Sequence, residues 1–95
     1  MTTRDSLLDD APVATIDLHR LTTFEARRCL TSELKLLSRS RRGGIVHVIT
    51  GRGAHSERGA VLRPFVRSLL RGSLRDYVAD FADSMDGGGW RVRLK

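Results

Sequence analysis

Short segments in which apolar and polar residues alternate are interspersed with longer segments of helical periodicity. This order limits the folds that the chain can adopt. The first alternating segment, residues 14–19, precedes an apolar stripe of helical spacing over residues 23–38. A β-branched run at residues 45–49 precedes a second helical stripe. Two more alternating segments, residues 77–82 and 90–95, follow. Because strands repeat every two residues and helices every 3.6, the pattern predicts the order strand-helix-strand-helix-strand-strand.

This order predicts an α/β fold of two layers. Right-handed crossovers place both helices on one face of a mixed four-stranded sheet and leave the other face open. In the last strand, Trp90, Val92 and Leu94 point to one side. On the open face we expect Asp17, His19, His47, Arg91, Arg93 and Lys95.

Local signals predict where the elements begin and end. Thr22 followed by Glu25 is a capping box, which starts the first helix. We expect Pro64 in the first turn of the second helix, near residues 59–60, since a proline further in removes a backbone hydrogen bond. One side of the third strand is expected to carry Tyr77, Ala79 and Phe81.

A chain of 95 residues is the size of one domain. Residues 1–13 are polar and lack periodicity, so we expect a flexible N-terminal leader before a domain over residues 14–95. The lone Cys29 falls in a helical stripe and is interpreted as a packing residue in a reducing compartment. The sequence has no apolar run of membrane-spanning length and no secretory signal pattern, so we expect a cytoplasmic monomer without membrane partners.

The positive charge is concentrated in the middle of the chain. Residues 20–75 hold thirteen Lys or Arg residues, all but one of them Arg, against three Glu residues. Guanidinium groups match phosphate oxygens bidentately, which favours nucleic acid as the partner. A soluble domain of high isoelectric point and a domain that binds an acidic protein are the alternatives.

Two features at the ends of neighbouring predicted strands suggest a site. Asp17 and His19 share one face of the first strand, either as a carboxylate–imidazole pair or as the polar half of an amphipathic strand. The loop Thr50-Gly51-Arg52-Gly53 directly follows the second strand. Ligands gather at the carboxyl ends of parallel strands, so the pair and the loop are expected at one edge, where Arg52 and Arg58 add positive charge. The loop lacks the lysine and hydroxyl of a P-loop and is equally consistent with a tight turn.

In the order and spacing of its motifs, the chain resembles the small MutS-related (Smr) domain family over residues 14–95. The motifs that carry the resemblance are Asp17-Leu18-His19, the capped helix after Leu21-Thr22, Ile49-Thr50-Gly51-Arg52-Gly53, Val61-Leu62-Arg63-Pro64 and Gly88-Gly89. The resemblance implies a fold like the C-terminal domain of translation initiation factor three. It also implies nucleic-acid binding and, as in several members, endonuclease activity on DNA or on RNA, including messenger RNA on stalled ribosomes.

By position, the family's Asp-Leu-His triplet falls on Asp17 to His19 and its glycine loop on Thr50 to Gly53. The chain departs from the family pattern at three positions. Arg20 stands where a glycine is usual, Thr50 stands where some nucleolytic members have histidine, and the bulky Trp90 follows the last glycines. These departures bear on catalysis rather than on the fold.

On RNA, the substrate's 2′-hydroxyl can attack the phosphate while a histidine transfers the proton. We expect His19 in that role, with Asp17 orienting its ring; His47 and His55 are candidates for a second proton-transfer group or ordinary surface histidines. DNA offers no such internal nucleophile, so water must attack, and a divalent metal ion would be held by Asp17 and the substrate phosphates. The alternative is a non-catalytic module that binds nucleic acid or the ribosome. We expect the nucleic-acid contacts at Arg20, Thr50, Gly51, Arg52, Gly53, His55, Arg58, Arg63, Gly88 and Gly89.

Overall fold

The computed structural model of the chain describes residues 4–51 and 57–95. The predicted order of two helices and four strands is confirmed, and a short N-terminal helix is added to it. The elements are α1 (Arg4–Asp9), β1 (Ala14–Asp17), α2 (Thr23–Ser40), β2 (Ile45–Ile49), α3 (Glu57–Arg71), a 3₁₀ turn (Arg75–Tyr77), β3 (Val78–Asp83) and β4 (Gly89–Leu94).

The four strands form one mixed sheet in the order β1-β2-β4-β3. β1 and β2 are parallel, and β4 runs antiparallel to both β2 and β3. The carboxyl ends of β1, β2 and β3 therefore lie at one edge of the sheet, where β4 begins. We call this the carboxyl edge; Asp17, Ile49 and Gly89 pair across it.

α2 and α3 cover one face of the sheet, as predicted. Leu30 and Leu34 of α2 and Val66 and Leu70 of α3 are at most 1% exposed, and they form one cluster with the inward residues of the strands. Full burial of a Leu or Val side chain contributes about 1.5–3 kcal/mol. The inward residues of β4 are Trp90, Val92 and Leu94, as the alternation predicts.

Two local predictions were wrong. α3 begins at Glu57, so Pro64 lies inside the helix instead of in its first turn. In β3, the register shifts between Val78 and Asp80, which breaks the alternation. Val78 and Phe81 therefore both pack on the core, whereas Ala79 is exposed.

α1 packs on the sheet face that was expected to be open. Its Leu7 is fully buried, although residues 1–13 were expected to form a flexible leader. The Arg91 guanidinium donates to the backbone carbonyls of Leu7 and Asp10, and Arg93 forms an ion pair of 2.9 Å with the Asp10 carboxylate. The expectation that Arg91 and Arg93 lie on an uncovered face was therefore wrong, because the acidic N-terminal segment supplies their partners. Among the described helices, none is both long and apolar enough to cross a membrane.

Candidate active site at the carboxyl edge

The Asp17–His19 pair lies where β1 ends and the chain turns towards α2. β1 stops at Asp17, not at residue 19, and the carbonyl of Leu18 accepts the amide of Leu21 at 3.0 Å to close the turn. Leu18 is fully buried and anchors this turn in the core. Asp17 and His19 remain accessible, with 51% and 41% of their side chains exposed. The turn thus presents both side chains to solvent from a fixed backbone.

The turn also brings the two side chains into contact. Oδ1 of Asp17 accepts the backbone amide of His19 at 3.1 Å and the ring Nδ1 of the same residue. Side chains two apart on a straight strand stand roughly 6–7 Å apart at their bases. The contact depends on the chain leaving the strand after Asp17.

Arg20 contacts the other ring nitrogen of His19. Its Nε donates to Nε2 of His19 at 3.1 Å. A nitrogen that accepts from Arg20 carries a lone pair, and a nitrogen facing a carboxylate carries the proton. The two partners therefore assign the neutral tautomer with hydrogen on Nδ1, in which Nε2 is the atom that can accept a proton.

The pKa of the Asp17 carboxyl lies below its ordinary value of 3.8, chiefly because the His19 ring donates a hydrogen bond to it. Partial burial opposes this shift, while the His19 amide and the charge of Arg20 add to it. Asp17 is therefore ionised at neutral pH. An ionised carboxylate orients the imidazole and stabilises the imidazolium that forms when Nε2 takes a proton.

The end of β2 lies beside this pair. The two residues that follow it donate their backbone amides to another part of the chain. The amides of Thr50 and Gly51 both donate to the carbonyl of Gly88, at 2.9 and 3.1 Å. Thr50 is fully buried, and its hydroxyl lies 3.4 Å from the same carbonyl. Thr50 and Gly51 were expected to contact nucleic acid; in the structure their backbone amides join the end of β2 to the turn before β4.

Gly88 and Gly89 hold the start of β4 against β2. A Cβ atom on Gly89 would lie 1.9 Å from the carbonyl oxygen of Val48, so no larger residue fits there. The amide of Gly88 donates to the Asp86 carboxylate at 2.9 Å. The two glycines therefore shape the carboxyl edge through backbone packing.

Arg63 and His47 do not join the pair. The Arg63 guanidinium lies 4.6 Å from the Trp90 ring centroid and pairs with Asp83 on β3. With neighbouring strands about 4.8 Å apart, β3 is about 14 Å from β1. His47 is half-buried in the middle of the sheet, and its Nε2 has no hydrogen-bond partner among the described residues.

The remaining predicted residues were Arg52, Gly53, His55 and Arg58. Arg52, Gly53 and His55 lie outside the described residues, and Arg58 is described only as part of the α3 backbone. Within residues 4–51 and 57–95, no three His, Cys, Asp or Glu side chains are grouped so that they could hold a metal ion.

Sequence reasoning missed two contacts that define the site. The Gly88 carbonyl, which accepts from both Thr50 and Gly51, is a backbone group with no signal in the sequence. The contact between Arg20 and His19 could have been expected from their adjacency, since Arg20 was already a candidate phosphate ligand.

The family model of the Smr domain matches residues 16–91, a span that includes the Asp17–His19 pair, the end of β2 and the glycines before β4. No curated protein and no solved structure matches the chain.

Proposed function

This chain belongs to the Smr domain family, and from that membership we propose that it binds nucleic acid and cleaves phosphodiester bonds at the carboxyl edge of its sheet. Smr domains are generally nucleic-acid-binding, and some members are nucleases. The net charge of +6 supports a polyanionic partner. We further propose that residues 14–95 are the functional unit of a cytoplasmic monomer, with the ribosome among its targets.

The observation that carries the proposal is the His19 ring, whose Nδ1 is held by Asp17 and whose Nε2 carries the lone pair that can accept a proton once Arg20 moves away. On RNA, the 2′-oxygen attacks the adjacent phosphorus while Nε2 of His19 takes the hydroxyl proton. A new O–P bond forms, and the bond to the 5′-oxygen breaks. The imidazolium, stabilised by Asp17, returns its proton to the leaving 5′-oxygen.

Arg20 has two roles in this proposal. In the free protein its Nε donates to His19 Nε2, which is the atom that must accept the proton. A bound phosphate offers Arg20 a charged acceptor, which forms a stronger hydrogen bond than a neutral imidazole. Substrate binding therefore draws Arg20 to the phosphate and leaves Nε2 free.

RNA is the favoured substrate class because it supplies its own nucleophile. For DNA, water must be the nucleophile, and a divalent metal ion commonly assists. Asp17 and the substrate phosphates would then hold the ion, which lowers the pKa of bound water and neutralises phosphate charge.

The alternative is a non-catalytic module that binds nucleic acid or the ribosome. The contact between Arg20 and His19 favours it, because a group that accepts from Arg20 cannot also take a proton. Burial of Thr50, which stands where some nucleolytic members have histidine, favours it too.

Incubation of the full chain with labelled single-stranded RNA and with nicked, branched and duplex DNA, with and without a chelator, separates these functions. We expect cleavage of RNA that the chelator does not abolish. Binding should weaken with salt, with a slope of about −0.7 to −0.9 in log K against log salt for each neutralised phosphate. Salt-insensitive binding would contradict the proposal, and salt-sensitive binding without cleavage of any substrate would assign the non-catalytic alternative.

A further inference from the structure

An exposed aromatic side chain follows the candidate active site by five residues in the chain. Phe24 in the first turn of α2 is 67% exposed, whereas the other Phe, Tyr and Trp side chains of the described residues are buried or half-buried. α2 packs on the core through Ala26, Leu30 and Leu34, on the side away from Phe24. Packing of this helix therefore does not explain Phe24.

Basic and hydroxyl side chains continue from Phe24 along the same face of α2. Arg27, Arg28 and Thr31 follow at spacings of three, four and seven residues, which places them on one face of a helix. The Arg28 guanidinium lies 5.8 Å from the Phe24 ring centroid. These four residues, which we call the α2 outer face, line a shallow depression of about 390 Å³ together with Ser32.

The α2 outer face begins at the carboxyl edge of the sheet. β1 ends there with Asp17, and only the turn through His19 and Arg20 separates it from α2. The capping box between Thr22 and Glu25, with hydrogen bonds of 3.0 and 3.2 Å, fixes the first turn of α2. The first turn of α2, which carries Phe24, therefore starts at the same edge of the sheet as the Asp17–His19 pair.

We propose that the α2 outer face is a subsite for single-stranded nucleic acid, in which Phe24 stacks on an unpaired base and Arg27 and Arg28 contact the flanking phosphates. The proposal rests on the proposed function and adds a requirement for unpaired bases beside the reacting phosphate. Every nucleobase has an aromatic face, so stacking on Phe24 recognises a base without reading its sequence. Two arginines beside the ring match the phosphates that accompany each base, which favours nucleic acid over an apolar partner.

The test is a binding titration in which the bases are varied separately from the backbone. Three labelled probes are used: a single-stranded RNA, the same backbone carrying abasic positions, and a duplex of the same sequence. All variants carry His19→Ala so that no probe is cut during the titration. Phe24→Ala should weaken binding of the single-stranded RNA about tenfold and leave the abasic and duplex probes unchanged.

Leu36→Ala is the matched control. Leu36 is 62% exposed on the same helix, about 18 Å further along its axis, and its loss should change no affinity. Phe24→Trp should preserve binding of the single-stranded RNA, and base stacking should quench the fluorescence of the added indole. Circular dichroism should be unchanged in all three variants, because both sites are exposed.

If Phe24→Ala and Leu36→Ala bind the single-stranded RNA with equal affinity, the subsite is overturned and the proposed function is not. Loss of affinity for the abasic probe equal to the loss for RNA would also overturn it, because it would show that Phe24 does not act through bases. Failure of the Phe24-containing protein to bind any of the three probes would instead overturn the proposed function together with the subsite.

Discussion

Oδ1 of Asp17 accepts two hydrogen bonds from a single residue, one from the ring Nδ1 of His19 and one from its backbone amide at 3.1 Å. The backbone bond fixes the turn, and the ring bond fixes the tautomer. One carboxylate oxygen thus links the local fold to the chemistry that we propose for His19.

Asp17→Asn should preserve the fold and reduce cleavage by roughly 10- to 100-fold, because the amide cannot stabilise the imidazolium as a carboxylate does. The pKa of Asp17 is lowered in the folded protein, so its contribution to stability is present above the ordinary value of 3.8 and is lost as the pH falls through the lowered value. The contribution should be on the order of 0.5 kcal/mol, since both side chains are about half exposed.

Urea unfolding at several pH values checks this prediction. The difference in unfolding free energy between the unmodified chain and Asp17→Asn should shrink as the pH falls below 3.8. A difference that stays flat down to pH 2 would show that the carboxylate is not linked to folding.

Arg20→Gly should weaken binding of RNA and should not raise the rate of cleavage at saturating RNA, because bound RNA already draws Arg20 away from His19 Nε2. The substitution removes the donor from His19 Nε2 and also removes one phosphate contact, so the salt slope should fall by about one. Arg42→Gly is the control, since it removes the same charge from an exposed turn before β2, at the edge opposite the site. Equal affinities and salt slopes for Arg20→Gly and Arg42→Gly would contradict a phosphate contact of Arg20.

Gly89→Ala should prevent folding or destabilise the domain by more than about 3 kcal/mol, because the added Cβ would overlap the Val48 carbonyl oxygen. Gly87→Ala should cost only about 1 kcal/mol: its φ of +73° disfavours a side chain, but no atom lies within 4 Å of the new Cβ. Thermal unfolding of the two variants compares these costs. Similar melting temperatures would contradict the close approach of β4 to β2.

Leu7→Ala should destabilise the protein by about 2 kcal/mol, the lower end for a buried leucine, because α1 is short. Leu8→Ala should change stability by less than about 0.5 kcal/mol, since Leu8 is 39% exposed. Chemical denaturation measures both. Equal, negligible effects would show that α1 does not stabilise the domain, as expected for a flexible leader.

Most of the fold could be predicted because the spacing of apolar residues indicates which side of each helix or strand is buried. The alternation of Trp90, Val92 and Leu94 with Arg91 indicated which side of β4 faces the core, and the structure agrees. α1 was missed because it packs on β3 and β4, which lie far along the chain, and a local sequence pattern does not encode such contacts.

The site was predicted in outline but not in detail. The parallel pairing of β1 with β2 places Asp17 beside Ile49, as the rule for strand ends requires. The contact of His19 with Asp17 depends on where β1 stops, and a strand boundary is difficult to locate from four residues. The hydrogen bond from the Gly51 amide to the Gly88 carbonyl depends on the position of β4, which is distant in the sequence.

Cleavage of labelled single-stranded RNA by the unmodified chain and by His19→Ala, measured beside the affinity of each protein for the same RNA, tests the central claim most directly. Removal of the proton-transfer group should reduce cleavage at least about 100-fold while affinity stays within about twofold and the circular dichroism spectrum is unchanged. A folded His19→Ala protein that cuts RNA as fast as the unmodified chain would contradict the assignment of His19 as the catalytic residue.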